Sequence, residues 1–378
     1  MNIDKNIYDV VIIGSGIAGI SIGSELSKEV SVCILEKEKI TSFHSTGRSF
    51  AFFLESYGNE TIRKLTTASK DFFLENSMPN IDSPILKKRG VLHIATRKQH
   101  KVLLNTYKEL IKINNNLNLL NSHDTLKLLP CLNEKYIHSS IYDDQASDID
   151  VNALYNIFLK NYKKNKGIIK TNTKINNFIK RKNNWQISTD ECRISCKLII
   201  NAAGAWCDEV AKVANTKKIN IIPKKRTIFC FKPENLIPED HWPLGVDINE
   251  DFYFKVENKN ILASPADETH TSPHDAQPDE LDIAIGAEKI QNATRMKFKS
   301  VINKWAGLRN FVEDKTPVIG YDPYIDNFFW IAGQGGYGIQ TSPALAKISS
   351  NIILKKKNNY YEDKFKINLA SLNIKRLI

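Results

Sequence analysis

The chain lacks an apolar run approaching the roughly 18 residues that a membrane-crossing helix needs. Seven residues precede the first apolar strand, too few for a secretory leader, so a soluble, cytoplasmic protein is expected. The six cysteines, Cys33, Cys131, Cys192, Cys196, Cys207 and Cys230, form no CxxC pair. They read as reduced and mostly buried. Cys192 and Cys196 fall four apart in a segment read as extended, and nothing nearby supplies two further ligands, so no metal is expected. Internal repeats and low-complexity linkers are absent. A formal charge of +11 invites a polyanion-binding reading, but the lysines are scattered among asparagines and isoleucines. Lys355-Lys356-Lys357 reads as a solvated helix end that complements the helix dipole. No specific nucleic acid and at most peripheral membrane contact are expected. At 378 residues and 42% hydrophobic content, the chain has the size of a two-domain globular enzyme.

What is present is concentrated at the start. The stretch Tyr8-Asp9-Val10-Val11-Ile12-Ile13-Gly14-Ser15-Gly16-Ile17-Ala18-Gly19 is answered by Val32-Cys33-Ile34-Leu35-Glu36, with Glu36 lying 17 residues after Gly19. An apolar strand, a glycine turn, a helix from Ile17 to about Lys28 and a second strand ending on an acid define a nucleotide-binding βαβ unit. Gly14 permits the tight turn, Gly16 lets the backbone approach a pyrophosphate, and Gly19 lets helix and strand pack closely. The phosphates then sit at a helix N-terminus, where unpaired N–H groups favour negative charge. Glu36 is placed to bind a ribose 2′-hydroxyl and would repel a 2′-phosphate, so the unit reads FAD or NAD rather than NADP.

Further along, Thr41 to Ser49 is a hydroxyl-rich loop, capable of starting a helix and of closing over the cofactor. Helical periodicity covers Glu60–Glu75, and Gly90–Ala95 is a strand. Gln99 to about Leu129 reads as helix-forming. Asp148 to Lys166 reads as a helix capped by Asp148 or Asp150. Residues 167–200 read as a strand meander. The last strand ends in Asn201-Ala202-Ala203-Gly204-Ala205-Trp206, small residues that permit close approach of backbone to ligand, before a helix at about Cys207–Ala214. Residues 216–300 read as mostly strands with proline-rich loops. The nucleotide-binding pattern then returns: strand Phe328–Ala332, glycine turn Gly333–Gly338, and a helix from Pro343 to Lys355 with Thr341-Ser342 as its cap and proline at its first position.

Several separated blocks carry a resemblance. They are Gly14–Glu36, His44-Ser45-Thr46-Gly47-Arg48-Ser49, Asn201-Ala202-Ala203-Gly204-Ala205-Trp206-Cys207-Asp208, Trp305-Ala306-Gly307-Leu308-Arg309 and Gln334-Gly335-Gly336-Tyr337-Gly338-Ile339-Gln340. Together they resemble the D-amino-acid oxidase superfamily of FAD-dependent oxidoreductases, and within it the D-arginine dehydrogenase branch, over essentially the whole chain. The resemblance implies an α/β fold: a discontinuous Rossmann-like FAD-binding domain (1–89, 147–215 and 301–378) and an α+β substrate domain with a mixed or antiparallel sheet (90–146 and 216–300). It implies extended FAD contacted by Gly14, Gly16, Ile17, Ala18, Gly19, Glu36, Lys37, His44, Ser45, Thr46, Gly47, Arg48, Ser49, Ala203, Gly204, Trp206, Arg309, Gly335, Gly336, Tyr337, Gly338, Ile339 and Gln340. Negative charge developing near flavin N1 and O2 suits the N–H groups at the start of the Pro343 helix. Family members that tether flavin through cysteine do so in the C-terminal part of the chain; the last cysteine here is Cys230, so the FAD is expected to be non-covalent.

On the substrate side, the resemblance makes Arg309 and Arg226 the grip on a substrate carboxylate, for which guanidinium is a rigid, permanently charged fork. Tyr253 donates a hydroxyl, Tyr57 covers the pocket, and Gly336 lies beside the reacting centre. Read without the family, Arg226 among lysines is rather a solvated face, and Tyr253 rather core filling on a strand. The implied reaction is oxidation of a D-amino acid or related amine to an imino acid, hydrolysed to a 2-oxo acid and ammonia. Oxidation of a 2-hydroxy acid is the alternative within enzymes, and a basic flavoprotein that binds nucleic acid or membrane the alternative outside them. The electron acceptor, whether quinone, carrier protein or O2, is left open. One departure is informative. Where members that take arginine or lysine carry a substrate-reading glutamate, this chain has Gly90 beside Arg89, and Phe52, Phe53 and Leu54 replace polar pocket positions. Neutral or apolar D-amino acids are therefore expected over D-arginine and D-lysine, whose side chains would find no countercharge, unless a carboxylate such as Glu55 reaches the pocket.

Overall fold

A computed structural model describes residues 7–78, 84–112 and 116–378. The first strand, Ile7–Ile13, is apolar over nearly its whole length, as a strand covered on both faces requires. It lies between two parallel neighbours, Val32–Leu35 and Arg193–Asn201. Ile168–Lys170 extends the sheet beyond Val32–Leu35, and the hairpin Ile175–Arg181/Asn184–Thr189 extends it beyond Arg193–Asn201. Phe328–Ala332 also joins Arg193–Asn201 in parallel and carries Val318–Tyr321. One face packs on the helices Ile17–Leu26, Val151–Lys164 and Gly338–Ile353 through Ile12, Ile20, Phe158 and Leu345. The other buries Trp185, Phe328, Trp330 and Cys207.

A second sheet runs Asn303–Phe311, Ile222–Phe231, Asn260–Ser264, Tyr253–Glu257, Leu244–Asp247, Val91–Ala95, Ser139–Asp143, Leu117–Asn121. It is antiparallel except where Leu244–Asp247 runs parallel to Val91–Ala95. A small third sheet, Phe52–Phe53, Ser147–Ile149 and Leu86–Lys88, joins the two. Asp148 anchors it: this buried carboxylate accepts from Arg89 and, at 2.7 Å, from Lys255 of the second sheet. Among the described residues no helix is long and apolar enough to cross a membrane.

The βαβ unit, the helix Glu60–Glu75 and the Asp150-capped helix lie where the sequence puts them. Other elements differ. The C-terminal helix starts at Gly338, so Pro343 is interior rather than first. Proline has no N–H to give to the Ile339 carbonyl, and the Ser342 hydroxyl donates to it instead at 3.0 Å. Gln99–Leu129 is not one helix: His100–Leu110 is followed, after residues 113–115 that lie outside the described ones, by strand Leu117–Asn121 and helix Ser122–Leu128. Asn121 caps that short helix by accepting from Asp124 N at 2.9 Å. Residues 216–300 contain a helix, Glu280–Ala293, whose cap Asp279 and first-turn acids were legible signals for one. The loop 41–49 is turns, without a helix. The strand Asn303–Phe311, assigned with the cofactor part at the sequence level, belongs to the second sheet.

Candidate active site

A continuous cavity of about 680 Å³ runs from the tip of the first βαβ unit to the face of the second sheet. Its first half is built by backbone. Gly14 has φ +99°, and a Cβ there would stand 2.6 Å from the Ala202 carbonyl oxygen. A Cβ on Gly19 would stand 1.9 Å from the Gly14 oxygen, so the helix packs against the turn only without one. Ile17 N donates to the Thr46 hydroxyl at 3.0 Å, tying the helix start to the loop that covers it. The same loop is stitched to the second sheet: Ser45 Oγ donates to Leu308 O at 2.6 Å and Arg48 Nη1 to Ala306 O at 3.0 Å. Glu36 is buried at the end of the second strand, accepting from Ser15 N (2.9 Å) and Ser15 Oγ (2.7 Å) through Oε2, and from Glu38 N (3.0 Å) through Oε1. A carboxylate has about four lone-pair sites, so capacity for a ribose hydroxyl remains. Lys37 Nζ lies 3.3 Å from the centre of the Trp206 ring, and His44 packs on that ring at 4.5 Å.

The second half is built by side chains that sheet register brings together. Lys224 pairs with Arg309, and Arg226 with Gly307, across two antiparallel strands, which sets the two guanidiniums side by side. Arg309 Nη2 donates to the Tyr57 hydroxyl at 2.9 Å. Its guanidinium lies against Gly336, where a Cβ would approach Nη2 to 2.1 Å. Burial opposes the Arg309 charge, but the surrounding Tyr57, Tyr253 and Tyr337 hydroxyls outweigh it and hold the pKa above its ordinary value. Burial raises that of Tyr57, which stays protonated. Arg226 lies 5.8 Å from the centre of the Tyr253 ring, and Phe50 packs edge-on to the same ring at 5.0 Å.

One acid organises this cluster. Glu268 Oε1 accepts from Arg226 Nη2 at 3.2 Å and Arg309 Nη1 at 3.3 Å, while Oε2 pairs with Lys224 at 2.7 Å. Its backbone is fixed, because the segment after Ser264 runs along Ile222–Phe231: Lys225 N donates to Thr269 O at 2.9 Å and Thr271 N to Pro223 O at 3.0 Å. Partial burial would raise the Glu268 pKa, but Lys224, Arg309 and Arg226 more than offset this and hold the carboxyl below its ordinary range.

Most of the residues singled out from sequence line the cavity: Gly14, Gly16, Ile17, Ala18, Glu36, Lys37, His44, Ser45, Thr46, Arg48, Ser49, Tyr57, Ala203, Gly204, Trp206, Arg226, Tyr253, Arg309, Gly335, Gly336, Gly338, Ile339 and Gln340. Gly19, Gly47 and Tyr337 do not. Gly19 and Gly47 are confined by backbone oxygens of Gly14 and Ser42, and Tyr337 packs behind Tyr57 at 5.0 Å. Of the specificity positions, Phe52 and Leu54 face the cavity, whereas Phe53 is in the core and Gly90, at φ +81°, lies under the Tyr142 ring. Arg89 is spent on Asp148 and on the carbonyls of Asp240 and Trp242. Glu55 pairs with Lys70 and Thr67 instead of entering the cavity. A carboxylate is nonetheless present: Glu250, exposed on the turn before Tyr253, lines the cavity, so the expectation of no countercharge is corrected. Glu250, Glu268 and His93 were missed because nothing local marks them; strand pairing and turn geometry bring them in.

Five buried polar atoms of cavity-lining residues have no hydrogen-bond partner among the described residues: His93 Nε2, Arg226 Nε, Asn310 Oδ1, Gln334 Nε2 and Gln340 Nε2. Buried polar groups are normally paired. With the glycine cradle and Glu36, these atoms suit an extended dinucleotide together with a carboxylate-bearing ligand. Fold and site thus define a flavin-dependent oxidoreductase architecture. The family model described as FAD dependent oxidoreductase (DAO) matches residues 9–352, and the chain belongs to that family. It is 23% identical to FAD-dependent oxidoreductase domain-containing protein 1 of Mus musculus, over 92% of this chain and 81% of that one. With the protein of the same name from Xenopus laevis it shares 30% identity over 50% of its own length, spanning 40% of that protein. Among solved structures, glycine oxidase from Geobacillus kaustophilus superposes with a TM-score of 0.81 at 17% identity, covering 96% of this chain and 98% of that one. L-alpha-glycerophosphate oxidase from Mycoplasma pneumoniae, with FAD bound, also gives 0.81 at 17% identity, covering 94% and 97%. These two likenesses concern the fold.

Proposed function

We propose that the protein oxidises an amino acid of D configuration, or a related secondary amine, to the imine, which water hydrolyses to a 2-oxo acid and ammonia, or to a 2-oxo acid and a primary amine where the substrate nitrogen is secondary. The observation that carries this reading is the side-by-side pair Arg226 and Arg309 beside Gly336. FAD, when bound, supplies a two-electron acceptor for the hydride on the substrate α-carbon. The chain's own residues position that carbon. Two guanidiniums fix the carboxylate, Tyr57 steadies Arg309, and Tyr253 lines the same wall, so orientation rather than a protein nucleophile drives the step. The amine must be neutral to release hydride, and no strong base is needed if it binds neutral or loses its proton there.

The motif blocks support a position near the D-arginine dehydrogenase branch, with FAD held non-covalently. For the domains, the sequence-based limits are kept except that the substrate part takes in Asn303–Phe311. Neutral side chains are preferred over cationic ones: the compartment around Phe52, Leu54, Leu244 and Val246 is apolar, and the Glu250 carboxylate that lines the cavity is exposed and screened. A second reading, 2-hydroxy-acid oxidation, draws support from the same clamp, which accepts any carboxylate. Anaerobic bleaching of the flavin by a panel of D- and L-amino acids and 2-hydroxy acids, with ammonia assayed, decides between them. Bleaching by a D-amino acid with ammonia released is expected; bleaching by hydroxy acids alone overturns the reading.

A further inference from the structure

The wall of the cavity beyond the arginines is one row across the second sheet. His93 pairs with Val246, and Val246 with Tyr253, so the three side chains leave the sheet on one face. All three line the cavity. Phe52, Leu54 and Leu244 close an apolar compartment around them. The His93 imidazole is the odd member of that compartment. Its Nε2 is buried and has no hydrogen-bond partner among the described residues. Burial also lowers its pKa to about 4, so the ring is neutral at physiological pH. A neutral imidazole carries one N–H donor and one acceptor nitrogen. Set in an apolar wall, it discriminates by what it leaves unpaired: an apolar group opposite it leaves Nε2 unsatisfied, and a charged group there meets only a neutral ring.

We propose that His93 reads the substrate side chain, and that the substrate is therefore an amino acid whose side chain ends in an uncharged hydrogen-bonding group, such as a carboxamide or hydroxyl. The proposal rests on the amino-acid reading of the same site. Glu250 does not compete for this role, because it is exposed on the turn that ends at Asp251 rather than set in the apolar row.

The test compares glutamine with methionine, similar in length and differing in the polarity of the end group, as reductants of the holoenzyme flavin under anaerobic conditions, using both enantiomers of each. In the reactive enantiomer, glutamine is expected to exceed methionine about tenfold or more in the ratio of reduction rate to dissociation constant. His93→Leu should bring that preference to one or below, and His93→Asn should retain part of it. FAD content checks the folding of each variant, and His93→Phe replaces the leucine variant if that one does not hold FAD. Methionine equal to or better than glutamine in the unmodified protein, or a preference unchanged in the leucine variant, overturns the role of His93 while leaving amine oxidation standing. Flavin reduction by 2-hydroxy acids alone, with no ammonia, overturns the amino-acid reading and this proposal with it.

Discussion

The two halves of the cavity are made by different means. At the cofactor end the decisive atoms belong to the backbone: Gly14 and Gly19 matter because a Cβ would collide with main-chain oxygen. At the substrate end the decisive atoms are the tips of long side chains, brought from the loop at Tyr57, from Ile222–Phe231 and from Asn303–Phe311. A backbone cradle is specified by consecutive residues and tolerates little change. A side-chain cluster is specified by register between distant strands, and its members can be exchanged singly.

That contrast can be broken by substitution. The largest effect is expected for Gly14→Ala, which forces a side chain into φ +99° and a Cβ to 2.6 Å from a fixed carbonyl oxygen. Backbone strain of this kind costs about 1–3 kcal/mol before the clash is added. Purified protein should contain little FAD, read from its absorbance ratio, and normal FAD content would refute the cradle. Gly336→Ala comes next. Its Cβ meets the far end of the Arg309 side chain, which must swing away and lose the Tyr57 contact. FAD should stay bound while KM rises about tenfold, the equivalent of one charge-assisted hydrogen bond; joint loss of FAD and activity would place Gly336 in the cofactor cradle alone.

A smaller effect is expected at Glu268. Removing its charge leaves Lys224, Arg226 and Arg309 to repel one another, but the group is partly exposed, which limits the penalty to about 1 kcal/mol. Glu268→Gln should raise KM roughly fivefold with kcat little changed, and an unaltered KM would show that the arginines hold their places without it. The smallest effect concerns acid stability. His93 binds its proton near pH 4 in the folded protein, against an ordinary 6.5. Between those values the unfolded chain holds more protons, so the contribution is complete above about pH 6.5 and lost as pH falls toward 4. Denaturant midpoints for the unmodified protein and His93→Leu should therefore diverge less at pH 5 than at pH 7 if leucine is the weaker fit, and an identical pH slope in both would count against the buried neutral ring.

This division also explains what was legible in the sequence. The βαβ unit could be read because strand, glycines, helix and acid are contiguous and each has one physical reason to be there. Arg309 and Arg226 were reached only through the resemblance, since a lone arginine on a strand carries no local mark. Glu250 and Glu268 escaped: one sits on a turn, and the other depends on a segment that continues beside Ile222–Phe231 after the bend at Ala266, where φ is +54°. On the specificity wall Gly90 carries no side chain to the cavity, and it is His93, three residues on, that faces it. The C-terminal helix was started too late because Pro343 looks like a first-turn proline, and nothing local announces that Ser342 takes over the carbonyl proline cannot serve.

The most direct test of a separable, side-chain-built substrate end is Arg309→Met, with FAD content and anaerobic flavin reduction measured on the same preparation. Arg309 offers two N–H groups to a carboxylate, worth about 3 kcal/mol together, or roughly a hundredfold. The account predicts full FAD content with reduction by the best amino-acid substrate slowed at least about a hundredfold at subsaturating concentration. Near-normal reduction, or loss of FAD in step with activity, would contradict it.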